Sequence, residues 1–327
     1  MRARAIGPLF AAALAVVMLA VPTGSGRSQD GPATGAPAAR AAGPGGGEGE
    51  EAGAEEPQPC ERGQRPPVLL GGVENPFIRE ASGLAASRAH PGVLWTHQDS
   101  GSAAVLHAMA RDGRHLGNYR LAGVEPFDWE DVALGPGRRG RDALYVGDIG
   151  DNSAVRDRIT IHRVPEPDVD LAQESVDIDV PAFETFTLRY PDGPHDAEAL
   201  VVDPRRGDLF VITKLPPVVY AARAPLRSGR LTRLGPLPMP AGAVAVVTAA
   251  DATPGGEAVL VRTYFDVVRF PTRGRALVAA FRHPSERLPS PREHQGEAIA
   301  AGEDGYYTVA EGRSAPIWFS ARCDRER

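Results

Sequence analysis

The sequence predicts an all-β fold made of repeated four-stranded units. The prediction rests on three observations. A five-residue cassette recurs along the chain, apolar runs separated by Gly- or Pro-containing turns follow each copy, and the composition is rich in Gly (37) and Pro (31) among 327 residues. A repeat of this kind indicates supersecondary units that bury their apolar faces only against neighbouring copies. We therefore expect one continuous array of β units.

The cassettes set the phase of the repeat. They are Glu80–Leu84, Asp128–Val132, Asp196–Leu200, Val246–Ala250 and Gln295–Ile299. Their third positions are Ser82, Glu130, Glu198, Thr248 and Glu297, at intervals of 48, 68, 50 and 49 residues. The long interval indicates an insertion at about residues 168–182.

Four apolar runs per unit are typical of a β-propeller blade. Five blades are expected, or six if the insertion hides a degenerate one. Fourth strands are predicted at Leu116–Tyr119, Phe186–Tyr190, Leu231–Leu234 and Ala276–Phe281. The last unit lacks a fourth strand, and Pro67–Gly71 near the N-terminus can supply it and close the ring. That closure brings Cys60 near Cys323, the only two cysteines, and predicts a disulfide between them.

The chain before the array is predicted to be a targeting and spacer region. Residues 1–26 resemble a secretory signal peptide, with Arg2 and Arg4 ahead of an apolar stretch; an uncleaved membrane anchor is the alternative. Residues 27–65, rich in Ala, Gly, Pro and Glu, are predicted to be a disordered linker. The propeller then spans 66–327, and we expect a secreted protein with no membrane span after signal cleavage.

The net charge of −6 argues against a nucleic-acid partner, which requires a basic face. We expect a monomer that takes a small molecule, a glycan or a protein on one face of the ring.

Propeller geometry places the starts of the inner strands on the same face as the ends of the second strands. That face is therefore expected to be acidic. Its candidate metal ligands are Glu80, Asp128, Glu130, Asp148, Asp151, Asp196, Glu198, Glu297 and Glu311. Converging carboxylates need neutralisation, either by a divalent cation, most plausibly calcium, or by a network with Lys214, Arg262 and backbone amides. A third option, a zinc site at His97, His195 and His294, lacks tight ligand spacing.

Two segments carry a resemblance to known proteins. Trp129–Pro136 and Leu144–Asn152 resemble poorly characterised secreted bacterial propellers, and the Glu-Ala-Leu and Gln-Gly-Glu-Ala-Ile elements resemble phytase-like and SdiA-regulated propeller domains. The phytase-like resemblance implies calcium on the acidic face, with Lys214 and Arg262 as phosphate partners. The fourth cassette, Val246–Ala250, departs from that pattern because it has no acid.

The sequence thus supports two functional hypotheses. The first is a propeller that binds a divalent cation and a small ligand or partner. The second is a calcium-dependent phosphoester or ester hydrolase with Lys214, Arg262 and Glu198 as catalytic candidates. A sugar-acid lactonase would rest on fold analogy alone.

Overall fold

A computed structural model describes residues 59–99, 101–293 and 295–323. This part of the chain forms five β-sheets arranged as a five-bladed propeller. Blade 1 contains β2 (Ala81–Ala86), β3 (Val93–Gln98), β4 (Val105–Ala110) and β5 (His115–Leu121). Blade 2 contains β6 (Trp129–Pro136), β7 (Asp142–Asp148), β8 (Ile159–Pro165) and β10 (Glu184–Arg189). Blade 3 contains β11 (Ala197–Val202), β12 (Leu209–Thr213), β13 (Val218–Ala222) and β15 (Thr232–Pro236).

Blade 4 contains β16 (Val247–Ala252), β17 (Ala258–Thr263), β18 (Val267–Pro271) and β19 (Glu286–Leu288). Blade 5 contains β20 (Gly296–Gly302), β21 (Gly305–Ala310), β22 (Pro316–Ala321) and, as its outermost strand, β1 (Val68–Gly72). Two accessory strands are β9 (Val176–Val180) and β14 (Gly229–Arg230), and two short 3₁₀ turns cover Arg138–Gly140 and Leu277–Arg282. The all-β class and the five blades agree with the prediction.

The innermost strand of each blade begins within a cassette and contacts the innermost strands of the two adjacent blades. β11 and β16 are buried along their whole length. Such strands consist of near-continuous apolar and small residues because both of their faces are covered by protein.

Two fully or nearly buried carboxylates tie these inner strands together. Asp131 on β6 accepts hydrogen bonds from the backbone N–H groups of Leu200 (2.8 Å) on β11 and Ala250 (3.1 Å) on β16. Asp251 on β16 accepts one from Ala301 on β20 (2.9 Å). Burial of these two carboxyl groups is tolerated because backbone N–H groups donate hydrogen bonds to their oxygen atoms.

The ring closes between the two ends of the described chain, as predicted. β1 pairs antiparallel with β22, from Val68 opposite Phe319 to Gly72 opposite Pro316. Arg65 N–H donates to Ala321 O (2.8 Å), and Cys60 and Cys323 form a disulfide. The closing blade therefore contains strands from both ends of the domain.

The insertion in blade 2 does not form a sixth blade in the described residues. Its strand β9 pairs in parallel with β5 of blade 1, from Gly117 opposite Val176 to Leu121 opposite Val180. The insertion therefore widens a neighbouring blade and leaves the number of blades at five.

The predicted fourth strand at Ala276–Phe281 is wrong. Residues Leu277–Arg282 form a 3₁₀ turn, and β19 provides the fourth strand of blade 4. The apolar run instead buries Leu277 and Phe281, and the Phe281 ring lies 5.0 Å from that of Phe210 in blade 3. A short apolar run does not by itself distinguish a strand from a buried turn.

The predicted signal peptide and most of the predicted linker lie outside the described residues. Within the described ranges, no helix has the length and apolar character needed to cross a membrane.

The disulfide is expected to contribute measurably to stability because it closes a loop with a sequence separation of 263 residues. Replacing both cysteines, Cys60→Ser with Cys323→Ser, should lower the free energy of unfolding by about 2–5 kcal/mol. Denaturant titration measures the change, and reductant should destabilise the unaltered protein but not the double variant. Identical unfolding midpoints for the two proteins would contradict the prediction.

Candidate functional site

Each inner strand is irregular at its cassette. The pairing of inner and second strands shifts between Trp129 and Asp131, Ala197 and Ala199, Val247 and Ala249, and Gly296 and Ala298. The residue left out of the ladder is the third cassette residue in each case. In blade 1 the shift lies between Ala81 and Leu84 and includes Ser82. A bulge re-aims the side chain of the extra residue, and here Ser82 and all three glutamates line one pocket.

The pocket at this channel mouth is small and polar, with a volume of about 70 Å³. Its lining residues are Glu80, Ala81, Ser82, Asp99, Glu130, Asn152, Glu198, Lys214, Tyr264, Gln295, Glu297 and Glu311. Lys214 is the only cation among them and the only lysine in the chain.

Five carboxylates converge in two overlapping groups. Asp99, Asp128 and Glu130 form one group, and Glu130, Asp196 and Glu198 form the other. In each group one oxygen from every member lies within 4.8 Å of the others, close enough to share one cation. Glu130 belongs to both groups, so it is the centre of the arrangement.

One oxygen in the first group has no partner within the described structure. Asp128 is 5% exposed, and its buried Oδ1 atom accepts no hydrogen bond there. Gly150 makes room for this group, because a Cβ at that position would lie 2.2 Å from Glu130 Oε1 and 2.5 Å from Asp128 Oδ2. The two carboxylates are therefore packed against bare backbone.

The electrostatics of the pocket favour neutralisation of its acids. Burial, the charges of Asp99 and Glu198, and a side-chain hydrogen bond with Asp99 raise the pKa of Asp128 to about 7. Burial and the Glu198 charge raise the pKa of Glu130 well above its usual value. Burial raises the pKa of Glu198 to about 7 even though Lys214 opposes the shift. Like charges in a desolvated site each disfavour ionisation of the others.

Lys214 neutralises only part of this charge. Its Nζ lies 2.5 Å from Glu198 Oε1, and a quarter of its side chain is exposed. Burial lowers the pKa of Lys214, but the Glu198 carboxylate outweighs that effect and the net pKa is raised. The lysine is therefore a cation fixed at the edge of the pocket.

The loop Asp148–Asn152, predicted as metal-binding, is held by internal bonds. Asp148 accepts the backbone N–H groups of Phe127 (2.9 Å) and Asp128 (3.1 Å) and pairs with Arg156 at 2.8 Å. Asp151 accepts the N–H of Arg156 (2.6 Å). Neither Asp148 nor Asp151 belongs to the two carboxylate groups, and the contacts of both serve the loop itself.

Three predicted ligands lie at the rim. Glu80 and Glu311 are exposed. Burial raises the pKa of Glu297 to about 7, and its Oε1 accepts from Gln295 Nε2 (2.6 Å), which also bonds Glu311. The rim acids therefore lie in the same pocket but outside the two carboxylate groups.

Arg262 was predicted as a ligand-facing cation, and its placement contradicts that. Its side chain is fully buried, pairs with Glu293 at 2.5 Å, and packs where a Cβ on Gly296 would be, 1.7 Å from Nη2. It does not line the pocket. The absence of a side chain at Gly296 leaves space for the guanidinium between blades 4 and 5.

The histidines are not assembled into a zinc site in the described residues. His97 is fully buried beside Trp129 in the core, and burial lowers its pKa to about 4. His195 contacts Tyr220 and Asp192 away from the pocket. His294 lies outside the described residues.

Sequence reasoning did not select Asp99 as a ligand. It also missed Gly150 as the residue that admits Asp128 and Glu130, although its position between Asp148 and Asp151 marked a turn. The buried partner of Arg262, Glu293, had no signal in the repeat.

No protein-family model and no curated protein matches the chain. Among solved structures, it is similar to a luciferin-regenerating enzyme at 10% identity and a TM-score of 0.40, over 79% of this chain and 97% of the other. It is also similar to a gluconolactonase from Xanthomonas campestris at 14% identity and a TM-score of 0.43, over 79% of this chain and 90% of the other. Similarity of this degree carries no argument about activity.

The burial of Arg262 predicts a structural effect that a pocket residue would not have. Arg262→Met should lower the free energy of unfolding by about 3–5 kcal/mol because it strands the buried Glu293 carboxylate. Adding Glu293→Gln should recover part of the loss. Denaturant unfolding of the two single variants and the double variant measures the coupling. Strict additivity, or full stability of Arg262→Met, would contradict the pairing.

Proposed function

We propose that the protein binds a divalent cation, calcium, in the acidic channel mouth and uses that site to take a small ligand. The observation that carries the proposal is the convergence of buried carboxylates on Glu130, with Asp128 Oδ1 left unpartnered beside them. An unpaired buried carboxylate oxygen is costly, and a cation at this point would satisfy it.

The donor set fits a hard cation. Both groups consist only of carboxylates, without histidine or cysteine. Calcium takes six to eight oxygen ligands in flexible geometry, whereas zinc sites use nitrogen and sulfur donors. Asp99, Asp128, Glu130, Asp196 and Glu198 would hold the ion, and Ser82 and Asn152 add neutral oxygens to the same pocket.

The alternative, a purely structural network, fits other acids better than these. Asp131 and Asp251 each accept backbone N–H groups and need nothing further. Within the described chain, the carboxylates of Glu130 and Glu198 receive only side-chain donors, Ser82 (3.2 Å) and Lys214 (2.5 Å). Asp196 is intermediate, because its Oδ1 accepts the backbone N–H of Asp151 (2.9 Å). Glu130 and Glu198 therefore differ from the acids that cap neighbouring strands.

The disulfide is typical of proteins from an oxidising compartment. Together with the predicted signal peptide and the net charge of −6, it supports a secreted protein that does not bind nucleic acid. Millimolar extracellular calcium would keep a site of moderate affinity occupied.

Calcium should stabilise the folded protein. A single site at a calcium concentration of 100 Kd adds about 2.7 kcal/mol if only the folded state binds, which raises the melting temperature by roughly 5–10 °C for a domain of this size. Thermal melting in chelator and then in calcium measures the shift. Absence of any shift with calcium, magnesium or manganese would contradict the cation site.

Glu130→Gln separates the cation site from a structural role. The substitution removes the carboxylate shared by both groups and should abolish the calcium-dependent shift. It should also raise the melting temperature in chelator, since it removes a buried acid whose ionisation burial and the neighbouring carboxylates disfavour. Glu303→Gln, an exposed acid in the turn between β20 and β21, is the control and should retain the full shift. A lower melting temperature in chelator for Glu130→Gln would favour the structural network.

A hydrolase is the second candidate function, favoured by the position of Lys214. A bound cation would supply a Lewis acid for a carbonyl or phosphoryl oxygen. The Lys214 ammonium, fixed by Glu198 at the edge of the same pocket, could donate to negative charge developing on that oxygen.

Lys214→Met tests the hydrolase. Turnover of ester and phosphoester substrates should be lost in chelator and fall by about 100-fold or more in the variant. Calcium affinity should be retained or increased, because the lysine is not a ligand. Arg273→Met, an exposed cation on the opposite face, is the control. Calcium binding without turnover on either substrate class would leave a binding protein.

A further inference from the structure

The exposed apolar side chains of the described domain are concentrated around the channel mouth. Ten large hydrophobic residues are exposed, and six of them occupy loops on the face that carries the acidic pocket. We call these six the apolar crown: Phe77 (74% exposed), Phe127 (58%), Val155 (71%), Leu215 (65%), Val244 (40%) and Phe265 (53%). Exposed apolar side chains that cluster on one face are typical of a binding surface, because exposure of apolar area to water is unfavourable.

Crown residues are direct neighbours of the residues that form the site. Leu215 follows Lys214, Phe265 follows Tyr264, and Phe127 precedes Asp128. The Tyr264 and Phe265 ring centroids lie 6.4 Å apart. Val244 N–H donates to Asp266 in the loop that carries Phe265 (3.4 Å), so blades 3 and 4 present one apolar edge of the mouth.

The opposite edge of the mouth, at blades 5 and 1, is charged. The surface groove there contains Arg79, Glu80, Arg292 and Glu311. In the described residues of blade 5, the loop between β21 and β22 contributes no exposed large hydrophobic residue. Phe77 is the one crown residue on this edge, and the other five lie on loops of, or leading into, blades 2 to 4. Most of the crown therefore faces the charged edge across the acidic pocket.

The pocket itself is too small for the body of an organic ligand. Its volume is about 70 Å³, whereas pockets that enclose a small organic ligand are roughly 300–1,000 Å³. An ion with one small oxygen-bearing group fills it. The remainder of any ligand must lie outside the pocket, on the surrounding loops.

From these observations we infer that the ligand is amphiphilic. It carries an anionic or ester oxygen head, which meets the cation, and an acyl or aryl body, which lies over Leu215 and Phe265. This inference rests on the proposed cation site. A sugar or inositol phosphate body would require hydrogen-bond donors and acceptors where these loops present Leu, Val and Phe.

The test uses n-butyl-, n-hexyl- and n-octylphosphonate as probes, with binding to the calcium-loaded protein measured by calorimetry. Affinity should increase by about twofold per added methylene, half the value for full burial, because a chain lying on a surface remains partly wet. Leu215→Ser with Phe265→Ser should remove this dependence, weakening octylphosphonate most and butylphosphonate least, and leave calcium affinity nearly unchanged. Leu69→Ser, at an equally exposed apolar position on the outer strand β1, is the control and should change neither.

The outcomes test the cation site and the amphiphilic ligand separately. Calcium binding with equal affinity for all three phosphonates overturns the amphiphilic ligand but not the cation site. An absence of calcium binding removes both. If the double variant instead abolishes a concentration-dependent dimer in sedimentation, or abolishes co-sedimentation with phosphatidylcholine vesicles, the crown is a macromolecular interface and the small-ligand inference is wrong.

Discussion

Five inner strands converge on one axis, and each departs from regular pairing at the same position. The rest of the site depends on this constraint. A strand that paired regularly through the cassette would continue the alternation of its side chains between the two faces of its own blade. The bulge removes one residue from that alternation, and the pocket is formed from those residues: Glu130, Glu198 and Glu297, with Ser82 beside them. The backbone ladder resumes on either side, so the fold tolerates the arrangement.

The channel contains two kinds of buried acid, and the difference lies in what satisfies them. Asp131 and Asp251 complete the hydrogen bonding of neighbouring inner strands and belong to the scaffold. The acids of the mouth repel one another and receive few hydrogen-bond donors, so they lower the stability of the fold. Side chains that lower the stability of their own fold are expected at functional sites, where function rather than stability selects the residues.

The sequence predicted the blades, the closing strand and the disulfide because these follow from the order and spacing of strands along the chain. It predicted side-chain roles less well. Arg262 has the position of a mouth residue, but its environment is decided by Gly296 on the next blade, which the repeat pattern does not reveal. Asp148 and Asp151 belong to a loop with the composition of a metal site, yet their carboxylates accept hydrogen bonds from nearby backbone N–H groups, and Asp148 also pairs with Arg156. The run Ala276–Phe281 was predicted as a strand because it is apolar. Its burial comes instead from contact with Phe210 in another blade, which the sequence does not show.

The carboxylate of Asp131 also bears on how this ring can evolve. Its Oδ2 atom bonds a strand of the adjacent blade 3 and a strand of blade 4, which is not adjacent to blade 2. That reach is possible only across a narrow axis. A duplication that added a blade would widen the axis and leave this carboxyl group in the interior without its amide partners. Extra sequence at the periphery, as with β9, leaves the contacts of Asp131 at the axis intact.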